Sequence, residues 1–158
     1  IKKVKCVFPN VFLTIYGGGS LEVELKDLII KNELKDNIKL MGLCSNPYYD
    51  LSRSDLYISS SRYEGFSNSI IESISLGVPV VATDCPSGVR EIIVEGRNGW
   101  LSAIKNVDIE KTLSETIIKG LKCKDSLNME EEKEKNNSKF GKNIFIDRVE
   151  LLMQNALR

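Results

Sequence analysis

The 158-residue chain contains no histidine, and its four cysteines, Cys6, Cys44, Cys85 and Cys123, never fall at C-x-x-C spacing. Zinc ligation and Cys–His catalysis are therefore set aside, and reduced thiols in a cytoplasmic protein fit best. A surplus of either charge is also missing, because 22 Lys and Arg balance 22 Asp and Glu. Without a net field the composition speaks against nucleic acid or an anionic membrane as partner. No apolar run approaches the roughly 20 residues of a membrane span, and the opening IKKVKCVFPN is no signal peptide. No D-x-D pair invites a metal, and no G-x-G-x-x-G marks a dinucleotide turn. The length suits one domain with a real core.

What is present centres on residues 60–88, SSRYEGFSNSIIESISLGVPVVATDCPSG. The stretch reads as loop, short helix and buried strand. Ser67 or Asn68 is the expected N-cap, and Ile70, Ile71, Ile74 and Leu76 form an apolar face at helical spacing. Gly77 suits the helix C-terminus and Pro79 forbids continuation into the run Val80, Val81, Ala82, Thr83. Glu64 then lies in the loop before the helix and Glu72 in its second turn. A loop carboxylate and a helix carboxylate can converge on one ligand, with unpaired helix amides between them that favour phosphate. A solvated helix face explains Glu72 equally well on spacing alone.

The rest alternates in the same way. Residues 1–8 read as the tail of a basic helix, and 11–16 as a strand entering Gly17-Gly18-Gly19. Ser20 is the expected cap of a helix over 21–34, with Leu21, Leu25, Leu28 and Ile29 inward. A tight turn needing positive φ explains any single one of these glycines as well as a ligand does. Strands are expected at 38–41, 55–59 and 100–102, and short helices at 47–53 and 90–94. Arg62 is expected to pair with a surface carboxylate. Asp108 caps a helix with Ile109, Leu113, Ile117 and Ile118 inward, ending near Gly120. The polar run MEEEKEKNNSK reads as a surface helix or mobile linker. Phe140, Ile144, Phe145, Val149, Leu152 and Met153 mark a last amphipathic helix. Strands alternating with helices imply an α/β fold with a doubly wound parallel sheet.

Glu-x7-Glu inside the frame YEGF…E…G-PVVAT resembles the nucleotide-sugar motif of glycosyltransferase family 4, retaining enzymes of the GT-B fold. The resemblance spans most of residues 9–120. It implies the C-terminal half of a GT-B enzyme: a Rossmann-like sheet with helices on both faces. A nucleotide-sugar-binding domain would occupy residues 1–125, with a C-terminal helical segment, 126–158, packed on it. By the same resemblance Glu64 is the catalytic candidate beside donor sugar and diphosphate, and Glu72 holds the ribose. Gly65, Phe66 and Ser67 would frame the sugar, the Asn68 and Ser69 amides would face phosphate, and Gly17 and Gly18 would border the diphosphate. Leu43, Cys44 and Ser45 would read the base, and Ser87 and Gly88 would touch sugar or phosphate. No metal and no cofactor are implied, since the nucleoside diphosphate sugar is itself a substrate.

The spelling TDCPSG-x-x-EI is similar to members that transfer hexoses or N-acetylhexosamines onto lipid-linked or envelope glycans. The implied function is such a transfer from a UDP-sugar in envelope polysaccharide synthesis. The expected partners are the nucleotide-sugar donor and a glycan or lipid-linked acceptor, the latter through an N-terminal domain. The family's opening strand, and the Arg and Lys after it, do not precede Ile1. The isolated chain is therefore expected to bind nucleotide weakly and to be inactive. A cytoplasmic location is implied, with peripheral membrane association of the longer protein and self-association of this piece left open. Two alternatives stay open: a GT-B sugar-nucleotide epimerase, and a non-catalytic sugar-nucleotide-binding module.

Overall fold

A computed structural model describes residues 1–86, 88–105 and 107–141. The described residues form an α/β unit of five strands, all paired in parallel. They fall into two separate ladders rather than one continuous sheet. In the first, β1 (Leu13–Tyr16) pairs with β2 (Ile38–Gly42). In the second, β3 (Tyr57–Ser59), β4 (Val80–Thr83) and β5 (Gly99–Ser102) lie in that order.

The three-stranded ladder holds most of the core. Every residue of β4 is buried, as expected for a strand covered on both faces. Alternation along the strand sends Val80 and Ala82 to one side and Val81 to the other. Val80 and Ala82 pack with Ile70 and Ile74 of α4 (Asn68–Ser75) and with Val89 and Ile92 of α5 (Val89–Ile92). Val81 packs with Trp100, with Ile117 of α6 (Ile109–Cys123) and with Val4 of α1 (Lys2–Lys5). Helices therefore cover both faces. Ile70 and Ile74 are fully buried, each worth about 1.5–3 kcal/mol. Asp108 caps α6 as expected, accepting from the Lys111 amide at 3.0 Å. The helix runs past Gly120 to Cys123, and the bare Cα of that glycine lets it lie close against Val81, Trp100 and Leu56.

The two-stranded ladder is thinner, and here expectation and structure part. The helix α2 (Glu22–Lys31) buries no residue: Leu21, Leu25 and Leu28 are 62%, 39% and 46% exposed, and Ile29 is only partly covered. A two-stranded ladder offers too little apolar surface to cover a helix face. Ser20 does not cap it either. Leu21 occupies the cap position without a side-chain bond, and the Gly19 carbonyl takes the Glu22 amide at 3.2 Å. Ile109 is likewise more exposed than an inward position requires. Between the ladders, α3 (Tyr48–Leu51) is tied to β1 by the Tyr16 hydroxyl, which donates to the Asp50 carboxylate.

After a 3₁₀ turn (Lys124–Ser126) the polar run forms α7 (Met129–Phe140), which packs on α4. It is an anchored helix, not a linker. The expected amphipathic helix beyond Phe140 lies outside the described residues.

Two predictions follow from these contacts. A Cβ at Gly99 would sit 2.3 Å from the Val80 carbonyl oxygen, inside the β4–β5 ladder, whereas one at Gly65 would meet nothing within 4 Å. Gly99→Ala is expected to cost at least ~1–3 kcal/mol in urea unfolding and Gly65→Ala far less; equal losses would contradict the packing. The second concerns Tyr16. Its hydrogen bond to Asp50 pushes the phenol up to about 12, from an ordinary value of 10.0. A raised value favours the protonated phenol in the folded state. The contact's contribution is thus complete below pH ~10 and lost as pH rises toward about 12. In an absorbance titration Tyr16 should ionise last, and Tyr16→Phe should delete that late step. Loss of an ordinary step near pH ~10 instead would refute the bond.

Candidate functional site

The candidate residues cluster where chain leaves the carboxyl ends of parallel strands, the usual place for ligands in open α/β sheets. The loop of residues 60–67 leaves β3, and residues 84–86 leave β4. Thr83, at the end of β4, holds the first loop in place. Its hydroxyl donates to the Ser61 carbonyl and lies 3.4 Å from that of Ser59.

The loop then enters α4 at Ser67, which is 1% exposed and has extended backbone. Ser67 takes the cap position without capping: its hydroxyl lies 3.2 Å from that of Ser69 and bonds no helix amide. Intrahelical bonding begins with the Ile71 amide, bonded to the Ser67 carbonyl at 3.3 Å. The amides of Asn68, Ser69 and Ile70 are left without a backbone or side-chain acceptor among the described residues. Such a trio at the positive end of a helix attracts an anion.

The other end of α4 is closed firmly. Gly77, at φ 80°, donates to the Ile74 carbonyl at 2.9 Å, and Val78 to that of Ser73 at 3.0 Å. This is the Schellman arrangement, and it needs a residue tolerant of left-handed backbone.

Three faces of α4 have three fates. Ile70, Ser73 and Ile74 are buried in the core. The Ile71 carbonyl and the Ser75 hydroxyl accept from Asn136 of α7, at 3.0 and 2.8 Å. Asn68 and Glu72, one turn apart, share the face that remains. Glu72 and Glu64 are both half-buried, and neither carboxylate makes a hydrogen bond or ion pair among the described residues. Two partly covered carboxylates beside three unsatisfied amides are chemically unfinished as they stand.

The second loop touches the first. A Cβ at Gly88 would meet the Phe66 ring at 3.1 Å and the Gly65 carbonyl at 3.7 Å, so Gly88, Gly65 and Phe66 are neighbours. Ser87 lies outside the described residues. This loop is braced by Asp84, whose carboxylate accepts from Arg90 Nε at 2.6 Å and from a second guanidinium nitrogen. The guanidinium holds the Asp84 carboxyl below its usual value. A cleft of about 240 Å³ beside it is walled by Asp84, Pro86, Arg90 and Lys105, and contains neither Glu64 nor Glu72.

Gly17, Gly18 and residues 43–45 form a separate group. The Gly17 amide donates to the Gly42 carbonyl at 2.8 Å, and a Cβ on Gly18 would lie 3.7 Å from Leu43. Leu43 is 88% exposed, and Cys44 and Ser45 are exposed too. The structure thus brings Glu64, Gly65, Phe66, Ser67, Asn68, Ser69, Glu72 and Gly88 into one neighbourhood. Gly17, Gly18, Leu43, Cys44 and Ser45 assemble in another. Arg62 is exposed and makes no ion pair among the described residues, against expectation. Thr83 and Phe140 are read from sequence as strand and amphipathic-helix residues and Asn136 as part of a polar run, none as a support of the site; their partners lie 22, 65 and more residues away along the chain, beyond any local pattern.

The family model for glycosyl transferases group 1 matches residues 1–143. An uncharacterised glycosyltransferase of Methanocaldococcus jannaschii is 42% identical over 92 residues, which is 58% of this chain and 23% of that protein. The poly(glycerol-phosphate) alpha-glucosyltransferase of Bacillus subtilis is 36% identical over 114 residues, 72% of this chain and 16% of that protein. Among solved structures, S. aureus TarM in complex with Fondaparinux, alpha-GlcNAc-glycerol and UDP superposes with a TM-score of 0.80 at 26% identity. That superposition covers 95% of this chain and 30% of TarM. The chain therefore spans less than a third of the length of these relatives. Matched along nearly its whole length by the family model, with the α/β architecture of GT-B glycosyltransferases, the chain belongs to the glycosyl transferases group 1 family.

Proposed function

We propose that this chain is the nucleotide-sugar-binding part of a retaining glycosyltransferase. The enzyme would move a hexose or N-acetylhexosamine from a UDP-sugar to a glycan or lipid-linked acceptor of the cell envelope, on the cytoplasmic side. The observation that carries the reading is the trio of unsatisfied amides opening α4, flanked by Glu64 and Glu72 with no partner of their own. In this reading the donor diphosphate lies on the Asn68, Ser69 and Ile70 amides, where the helix end stabilises its charge. Glu72, on the same face, accepts hydrogen bonds from the ribose hydroxyls. Gly65, Phe66, Ser67 and Gly88 border the sugar, with Glu64 beside it as the catalytic candidate. Gly17 and Gly18 border the diphosphate, and Leu43 to Ser45 meet the base.

Transfer releases a nucleoside diphosphate, so the barrier falls most where phosphate charge develops, and preorganised amides are suited to that task. On this view amides rather than a metal hold the diphosphate, and binding should survive chelation of divalent ions. The choice of UDP is supported by its presence in the TarM complex and by relatives named for UDP-N-acetylglucosamine, among them a GtfA subunit of Streptococcus agalactiae. A lipid-linked acceptor is supported by a relative in Campylobacter jejuni named for a diphospho-undecaprenol-linked saccharide, and an envelope polymer by the poly(glycerol-phosphate) glucosyltransferase of B. subtilis.

Calorimetric titration with UDP, GDP and ADP, in the presence of EDTA, tests the site. UDP should bind preferentially, and Glu72→Ala should weaken it by about 1–3 kcal/mol, the loss expected for charge-assisted hydrogen bonds. Affinity unchanged in the variant would reject the ribose assignment. Product analysis of the full-length protein with a labelled UDP-sugar separates transfer, with the anomeric configuration kept, from epimerisation of the donor.

A further inference from the structure

The polar helix α7 makes more specific contacts than its composition suggests. Asn136 and Glu132 are each only 6% exposed. Asn136 donates both amide hydrogens into α4, to the Ile71 carbonyl and the Ser75 hydroxyl. Glu132 accepts from Arg97 at 2.7 Å and from Lys135 at 3.2 Å. Lys139 donates to the Glu91 carbonyl of α5 at 3.0 Å. These bonds fix both the register and the rotation of α7, because a slip by one residue would leave buried polar groups unpaired.

Phe140 lies one turn beyond Asn136, on the same face of α7. Its ring meets that of Phe66 edge-on, with centroids 5.3 Å apart and planes at 65°. Phe66 thus has two supports. One is Phe140 and the other is Gly88, where a Cβ would already press the ring at 3.1 Å. Phe66 is nevertheless 50% exposed, and it stands between Gly65 and the helix cap Ser67. Thr83 holds the start of this loop and Ser67 is buried at its end, so the exposed Gly65 and Phe66 between them rely on the ring contacts.

We propose that α7 is a strap whose Phe140 is a positioning residue, holding the Gly65–Phe66–Ser67 backbone against the donor sugar through the Phe66 ring. The proposal rests on the nucleotide-sugar reading for its consequence, but not for its mechanics. The helix amides that would take the diphosphate belong to α4; Phe140 borders the core cluster around Ile70 and Ile74, but these residues, the Schellman turn and the Asn136 bonds all stay in place without its ring. Loss of Phe140 therefore frees the sugar-facing loop and spares the diphosphate site. The signature is a selective one: sugar-dependent affinity falls while affinity for the bare nucleotide stays.

The experiment compares wild type, Phe140→Ala, Phe140→Leu and Phe140→Tyr in two measurements on the whole chain. Hydrogen exchange of the ligand-free protein reads the strap itself. Amides 65–67 should exchange faster in Phe140→Ala and Phe140→Leu and at the wild-type rate in Phe140→Tyr, with β4 protected throughout. Unchanged exchange at 65–67 in both non-aromatic variants overturns the strap, whatever the ligand. Exposure of β4 in Phe140→Ala would mean global loosening, and Phe140→Leu then decides.

Calorimetry reads the consequence, with UDP and with whichever of UDP-glucose and UDP-N-acetylglucosamine wild type binds more tightly. The sugar nucleotide should weaken about three- to tenfold in Phe140→Ala, the range an aromatic pair spans, and UDP less than about twofold. Phe140→Tyr should restore the wild-type ratio. A faster loop with an unchanged sugar-nucleotide affinity, or equal weakening of UDP, overturns the positioning role. Failure of wild type to bind any of these nucleotides overturns the donor reading, and the positioning role with it, while exchange still decides the strap.

Discussion

The way α4 divides itself among its neighbours governs this structure. One face, Ile70 and Ile74, fills the core beneath β4; a second, Ile71 and Ser75, is taken by Asn136 of α7. The Schellman turn at Gly77 satisfies the carbonyl end, while the amide end is left open. A helix fixed on two faces and at one terminus can offer its remaining face and its positive end to a ligand without moving. That rigidity matters for phosphate chemistry, because dipoles already in place need no reorganisation when charge develops.

The rest of the molecule divides according to how much surface each ladder can bury. The β3–β4–β5 ladder has helices on both faces and carries the Glu64–Glu72 region. The β1–β2 ladder carries the glycine turn and residues 43–45, and its helix α2 stays exposed on most of its apolar positions. The two ends are stabilised by different means. One relies on apolar burial, the other on individual hydrogen bonds such as Tyr16 to Asp50 and Asn37 to the Val11 carbonyl at 2.8 Å. Among the described residues no helix is long and apolar enough to cross a membrane.

Much of the architecture was legible where local chemistry and burial agree. The run Val80 to Thr83 after Gly77 and Pro79 reads as a buried strand, and Asp108 reads as a cap; both are as expected. The reading misled where tertiary context decides. Leu21, Leu25 and Leu28 have helical spacing, yet no large sheet lies beneath them. Ser20 is a good cap by residue type, but the Gly19 carbonyl already takes the Glu22 amide. The run MEEEKEKNNSK shows no apolar stripe, so nothing local announces that Glu132 and Asn136 would be buried by hydrogen bonding rather than by hydrophobicity. At the site, the loop before Asn68 and the helix carrying Glu72 have the local structure expected from sequence. The supports around them, Thr83 under Ser61 and Phe140 against Phe66, depend on long-range contacts that no spacing encodes.

The most direct measurement is a two-dimensional amide NMR titration with UDP, beside uridine alone. If the α4 terminus holds the diphosphate, the Asn68, Ser69 and Ile70 amides shift strongly with UDP and little with uridine, while Glu72 and residues 43–45 respond to both. Shifts confined to other parts of the chain, or equal responses of the three amides to the two ligands, would contradict it.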